Sequence, residues 1–369
     1  MANIIDYVKW RGDISFNDCS FNEIDALIFA ELSYVPFEDL VPASIASKGI
    51  PLSVLAEKYF SLHYDSNKLG AIIPTESILE LFRLSASSNR FAEVLARGFV
   101  NEIDIKAEKQ FSAMCFDIGK STTVITFRGT DDTIIGWKED FNMAFFTPIP
   151  AQKQAVDYLS SVISRGNKEH YYVCGHSKGG NLAAYSSLKV DKKQQNKIEA
   201  VYNFDGPGFR QSFLEAEKSN PIAPKLYKIC PQGAIIGAIF DSMENMMYVK
   251  SNAKGLYQHD AFTWEVLGKK FVDALNPSKA SVDFHDTLNS WVGTLTDKER
   301  VEFVEALYKI LTANDTATLT DIASDKKSFL KGVLKTDDKT KKTFFNILNK
   351  LIKEKYFKKD SSKKNTNND

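Results

Sequence analysis

Between a short apolar run, Tyr171 to Cys174, and a helical segment opening at Gly180 stands the pentapeptide Gly175-His176-Ser177-Lys178-Gly179. A G-x-S-x-G pattern between strand and helix constrains this chain more than any other feature. The central residue must take a strained backbone conformation, and glycines two positions away on either side leave room for the turn. Such a turn needs a strand of a covered sheet before it and a packed helix after it. The serine hydroxyl then projects above the sheet, and the helix N-terminus offers N–H groups and the positive end of a dipole.

The flanking pattern agrees. Gln110 to Ile118 and Thr122 to Phe127 read as strands joined by a turn at Gly119-Lys120. A helix is predicted over Ala151 to Ser164, and another over Asn181 to Leu188. Ala200 to Phe204, Leu226 to Cys230 and Met247 to Val249 are further short strands. Strands alternating with helices imply a mainly parallel sheet with helices on both faces, the α/β-hydrolase fold. Before it, residues 1 to 90 form an N-terminal helical region, with Ile24, Leu27, Ile28 and Leu32 at helical spacing and further helices over Leu52 to Leu62 and Thr75 to Ser85. After residue 264 the strand signals stop. Thr296 to Glu299 reads as a capping box, and helical segments follow near Leu319 to Leu334 and Thr343 to Lys355. The expected organisation is a hydrolase domain over 1–265, a C-terminal helical region over 266–357, and a disordered Lys/Asn-rich tail over 358–369.

The composition narrows the setting. Of 369 residues, Lys plus Arg and Asp plus Glu number 47 each, so no surface for nucleic acid is expected over the whole molecule. The four cysteines, Cys19, Cys115, Cys174 and Cys230, are scattered, which fits neither a zinc site nor a disulfide framework and suggests reduced thiols. No signal-peptide core and no apolar run of spanning length is present in the sequence, so a cytoplasmic protein is expected. The lysines from Lys353 to Lys364, with Tyr356 and Phe357, could touch an anionic membrane weakly, or simply solvate the terminus. The oligomeric state is not legible.

A serine nucleophile needs an oxyanion hole and a base. Thr126-Phe127-Arg128-Gly129-Thr130 ends a strand upstream of the turn, where this fold takes one oxyanion donor. Thr130 is the candidate, through its backbone N–H with its hydroxyl as a further donor, and the backbone N–H of Lys178 is the second. Of five histidines, His63 lies in the N-terminal helical region and His170 at the wrong end of the sheet. His176 diverges from its neighbour and is expected to shape the pocket wall, while His285 is a weak alternative. His259, in a loop after the last predicted strand, fits the chain order nucleophile, acid, histidine.

The segments Phe127 to Asp132, Gly136 to Asp140, Gly175 to Asn181, Asn203 to Gly208 and Gln258 to Asp260, with Asn22 to Tyr34, resemble a bacterial family of lipase-like α/β-hydrolases, distantly similar to the class 3 lipases. The resemblance covers about residues 1 to 265. It implies Ser177 as nucleophile, Thr130 in the oxyanion hole, His259 as base, and a movable segment over Trp137 to Pro150. The chain departs from the class 3 pattern at Pro231 to Gly237, which holds no carboxylate where that pattern carries the acid. Asp205, on the strand expected beside the elbow strand, takes its place, with Asp241 second. Asp205-Gly-Pro-Gly208 is also strong turn chemistry, so a turn-forming role for Asp205 stands beside the catalytic one. Asp140 is expected to hold the oxyanion loop.

These residues suit acyl transfer through a Ser177–His259–Asp205 triad, with neither metal nor organic cofactor required. Ile235, Ile236, Ile239 and Phe240 would line an acyl pocket or form core. The expected substrate is an acyl ester or lipid-like small molecule. A thioesterase or acyltransferase would use the same apparatus, and an inactive scaffold of hydrolase shape would retain the fold alone.

Overall fold

The computed structural model describes residues 1–62, 75–130, 134–166, 168–313 and 328–365. Its centre is a sheet of eight strands in chain order: β1 (Ile50–Pro51), β2 (Leu95–Asp104), β3 (Lys109–Ile118), β4 (Thr122–Phe127), β5 (His170–His176), β6 (Ile198–Phe204), β7 (Leu226–Pro231) and β8 (Asn245–Val249). β1 to β4 pair antiparallel, and β4 to β8 pair parallel. The sequence-derived strands all lie within observed ones. β2 was not foreseen, because its second half, Asn101 to Asp104, is polar and exposed and breaks any alternation.

Thirteen helices are described: α1 (Ile4–Arg11), α2 (Glu23–Leu32), α3 (Leu52–Ser61), α4 (Thr75–Ser87), α5 (Ile134–Phe145), α6 (Pro150–Arg165), α7 (Lys178–Lys189), α8 (Lys192–Lys197), α9 (Gln211–Glu217), α10 (Lys279–Gly293), α11 (Asp297–Thr312), α12 (Ser328–Lys335) and α13 (Asp338–Asn365).

Parallel strands laid down in chain order, joined by crossovers of one hand, leave their helices on one face of a sheet. Here that face carries α6 and α7: Ala155, Leu159 and Leu182 pack with Ile125, Val173 and Val201. Alternate strand residues, Val124, Cys174, Phe204 and Ile229, point the other way. No crossover helix covers them, and the N-terminal helices do so instead. α2 is buried along almost its whole length, which explains why it is apolar on more than one face. Phe29 at its middle sits within 6.5 Å of the rings of Phe16, Phe21, Phe91 and Phe116. Each such ring contributes about 1.5–3 kcal/mol on full burial. The described helices within residues 1 to 90 are therefore the second layer of the sheet's own core.

The C-terminal helices form a separate cluster. Trp291, Phe303, Val304, Ile310 and Phe344 pack together and receive Phe240 and Ile239 from the loop after β7. These two apolar residues thus serve as packing against the C-terminal helices. Thr296 caps α11 with the reciprocal Glu299 bond that its sequence predicts. α13 runs helical to Asn365, across most of the stretch read as a disordered tail, since Lys, Asn and Ser without Pro or Gly do not break a helix already begun. Residues 319 to 327 of the expected helix near Leu319 lie outside the described residues, as does His63. No helix among the described residues is long and apolar enough to cross a membrane.

Candidate active site

Ser177 stands between β5 and α7 with φ 57° and ψ −131°, the strained conformation expected of the turn. Its N–H donates to the carbonyl of Phe204 on the neighbouring strand at 2.9 Å. The glycines are required by close approach. A Cβ on Gly179 would lie 2.0 Å from the Phe127 carbonyl oxygen, and one on Gly175 would lie 2.3 Å from Gly179. The side chain is partly exposed, so the hydroxyl can be reached from solvent.

Asp205 follows β6, the strand beside β5, and takes φ 48°. It is completely buried. One carboxylate oxygen accepts the His259 Nδ1–H at 2.6 Å and the other the Gly237 N–H at 3.1 Å. The segment Pro231 to Gly237, which lacks an acid of its own, thus supplies a backbone donor to the acid from the adjacent strand. Two asparagines fix the Asp205 turn: Asn203 accepts from the Gly206 N–H at 2.9 Å, and Asn181 of α7 donates to the carbonyls of Pro207 and Gly208 at 3.0 and 3.2 Å. These contacts interlock the Gly175–Asn181 and Asn203–Gly208 segments.

His259 ends a 3₁₀ turn, Gly255–His259, after β8. Trp264 Nε1–H holds the Gln258 carbonyl at 2.7 Å, and the Gln258 side chain accepts from the Gly233 N–H at 3.2 Å. With Nδ1 committed to Asp205, Nε2 is the nitrogen left for other chemistry. The imidazole stacks on that of His176, the neighbour of Ser177, with ring centroids 4.6 Å apart. The structure therefore gathers Ser177, Asp205 and His259 at one edge of the sheet, beyond the C-terminal ends of the parallel strands.

The residues expected to form an oxyanion loop lie close to Ser177. A Cβ on Gly129, the residue before Thr130, would lie 3.1 Å from the Ser177 Cβ. The Thr130 hydroxyl donates to Asp140 of α5, the contact expected of a residue that holds this loop. Lys178 is the first residue of α7, so its backbone N–H is one of the helix's four unshared donors. Its side chain is buried and turns beneath α5, donating to the Gln110 carbonyl at 2.9 Å and to Glu139 at 3.1 Å. Glu139, wholly buried, also accepts the N–H groups of Gln110 and Ala151 at 3.0 Å each. α5 thus anchors both flanks of the site, and Lys138 on the same helix is paired with Glu305 of α11 at 2.7 Å.

Other candidates fall away from this edge. His170 sits at the opposite end of β5, paired with Glu199 at 2.7 Å. Asp241 is half exposed and lies 3.3 Å from His285, and both line a 250 Å³ cavity with Ser281 and Tyr248 that reaches Gly237 behind Asp205. His176 does not form a pocket wall: it is wholly buried between His259 and Glu31 of α2. Glu31, Tyr34 and Glu139 were not singled out individually from the sequence. The one signal for the first two was the family-like stretch Asn22 to Tyr34, where the buried Tyr34 hydroxyl meets the Gly129 N–H. Desolvation pushes the Asp260 carboxyl, next to His259, up to about 6, against the pull of its capping bond to the Phe262 N–H.

A mainly parallel sheet with this elbow, and a His–Asp pair delivered to its C-terminal edge by later strands, is the architecture of the α/β-hydrolase fold. Residues 85–309 match the Mbeg1-like family model, and the chain belongs to that family. No curated protein matches the sequence. Among solved structures the chain is similar to M37 lipase, at 14% identity and TM-score 0.32 over 58% of this chain and 68% of that one. It is also similar to a triacylglycerol lipase from Penicillium expansum, at 11% identity and TM-score 0.34 over 46% and 72%. A third is the Lip2 lipase from Yarrowia lipolytica, at 15% identity and TM-score 0.29 over 43% and 66%.

Proposed function

We propose that this protein is a serine hydrolase that cleaves carboxylic esters through an acyl-enzyme. The observation that carries the reading is the buried 2.6 Å bond from His259 Nδ1–H to Asp205, beside a strained, partly exposed Ser177. Asp205 fixes the tautomer in which Nε2 has the lone pair, and it balances the imidazolium once formed. The Ser177 hydroxyl gives its proton to His259 Nε2 as its Oγ bonds to the acyl carbon. The tetrahedral oxyanion accepts the backbone N–H groups of Thr130 and Lys178, and collapse breaks the bond to the alkoxide, which takes the proton from His259. Water repeats the sequence against the acyl-serine, releasing the acid and restoring Ser177.

Two features support an apolar acyl substrate. Leu256 and Tyr257, in the same turn as His259, stay 46% and 79% exposed, and Ile235 and Ile236 are half-buried beside Gly237. Large apolar groups left in contact with water close to His259 suit a hydrocarbon ligand. The test is a chain-length series of p-nitrophenyl esters with matched acyl thioesters. The proposal predicts turnover of at least one ester by the wild type and none above background by Ser177→Ala. Faster turnover of the thioester at every length would move the assignment to a thioesterase. Equal rates for wild type and Ser177→Ala would end it.

A further inference from the structure

Beneath the Asp205–His259 pair lies a second buried pair that the mechanism above does not use. Glu31 of α2 and His176 are both wholly buried. His176 Nε2 lies 2.9 Å from the carbonyl oxygen of His259. A carbonyl only accepts, so Nε2 carries the hydrogen, and in the uncharged ring Nδ1 carries the lone pair. That lone pair faces Glu31 Oε1 at 3.3 Å, and neither carboxyl oxygen of Glu31 has a hydrogen-bond partner elsewhere among the described residues. A carboxylate there would set lone pair against lone pair in a site without solvent. A carboxylic acid instead donates its O–H to Nδ1 and leaves no clash. Burial, and next Asp260, push the Glu31 carboxyl well above its usual range, while burial and then His259 push His176 well below its own. With both groups uncharged, the bonds can run one way: Glu31 O–H to His176 Nδ1 across the 3.3 Å approach, then His176 Nε2–H to the His259 carbonyl.

We propose that Glu31 and His176 are positioning residues, a neutral hydrogen-bonded pair that fixes the main chain and ring plane of His259 so that its Nε2 meets Ser177. The proposal rests on the reading of Ser177 and His259 as nucleophile and base. His259 sits on a 3₁₀ turn with three strongly exposed residues, Gly255 to Tyr257, a segment with little packing of its own. Its carbonyl is held by His176, and the two imidazoles are stacked at an interplanar angle of 30°. Neutrality matters as well as shape. A charged His176 at 4.6 Å would repel the imidazolium that His259 becomes during reaction, and the uncharged pair avoids this. The N-terminal layer is thereby part of the catalytic arrangement, because only α2 places a donor under Nδ1.

Histidine side-chain ¹⁵N NMR and kinetics on the full chain test this. His176 is expected to hold the neutral Nε2–H tautomer from pH 5 to 9. His176→Phe keeps a ring but loses both hydrogen bonds, and is expected to lower kcat by about 10- to 100-fold with KM changed less than about twofold. His176→Gln can donate to the same carbonyl and should recover most of the loss. Glu31→Gln, whose amide still donates to Nδ1, should keep kcat within about threefold of wild type, where Glu31→Leu does not. Wild-type kcat in folded His176→Phe, a His176 that titrates in this range, or an Nδ1–H tautomer would overturn the proposal. A wild type inert to every ester and to serine-directed probes would instead defeat the reading of Ser177, a separate failure visible before any variant is made.

Discussion

Replacing Asp205 by Asn changes one atom of the carboxylate and tests the acid directly. The side chain is completely buried, and its two oxygens accept from His259 Nδ1 and the Gly237 N–H at 2.6 and 3.1 Å. An Asn can satisfy the Gly237 N–H only with its carbonyl oxygen, which turns its NH₂ toward His259. Nδ1 must then accept, so the ring hydrogen moves to Nε2, and the nitrogen proposed to take the Ser177 proton can no longer do so. A wrong tautomer of this kind lowers kcat by about 10⁴, or about 5.5 kcal/mol in the barrier. Volume and hydrogen-bond count are preserved, so the melting temperature should move little. The assay is steady-state hydrolysis of a short p-nitrophenyl ester by wild type, Asp205→Asn and Asp241→Asn, each with a thermal melt. Asp241→Asn, at a half-exposed site paired with His285, should retain wild-type kcat. An Asp205→Asn enzyme within tenfold of wild type, or a large loss in Asp241→Asn, would refute the assignment of the acid.

Three further outcomes are expected. Asp260→Asn should stabilise the protein at neutral pH: a carboxyl raised from 3.8 to about 6 in the fold stabilises it while protonated, and this contribution is lost as pH rises through about 6. The advantage of Asn, up to about 3 kcal/mol in urea unfolding, should therefore grow between pH 4 and 6 and level off above 7, and a difference independent of pH would contradict it. Lys178→Met leaves the buried Glu139 without its cation, and should cost about 3–5 kcal/mol, much of it restored by adding Glu139→Gln; a loss below 1 kcal/mol would show that the pair is not isolated from water. Thr130→Val removes the bond to Asp140 and frees the oxyanion loop, so kcat should fall about tenfold with little change in KM, and an unchanged kcat would place the loop's anchor elsewhere.

What the sequence made legible is local. The elbow, the strand before it and the helix after it are encoded within twenty residues, and glycines at 175 and 179 are demanded by contacts of 2.0–2.3 Å that no other residue survives. His259 could be chosen because it follows the nucleophile and the acid and lies in a loop just after the last predicted strand, a combination that none of the other four histidines offers. Asp205 was harder: its carboxylate and its turn chemistry compete in the sequence, and the structure shows a residue that turns the chain at φ 48° while its carboxylate accepts from His259. Contacts between distant segments were not legible. Glu31 and His176 are 145 positions apart, and Glu139 meets Lys178 across 39, with no periodicity to link them. α2 read as one apolar stripe, whereas the sheet face left bare by one-handed crossovers requires it to be buried all round. His176 was misplaced for the same reason, since its surroundings come from α2 rather than from the turn that carries it.

The central claim is that the hydroxyl at position 177 is the activated nucleophile. Incubating the full chain with a fluorophosphonate and mapping the adduct by peptide mass spectrometry reads that hydroxyl directly. A single adduct on the peptide containing Ser177, absent from Ser177→Ala and strongly slowed in Asp205→Asn, is the predicted result. A folded wild type that takes no label, or label of equal extent on Ser177→Ala, would contradict the account.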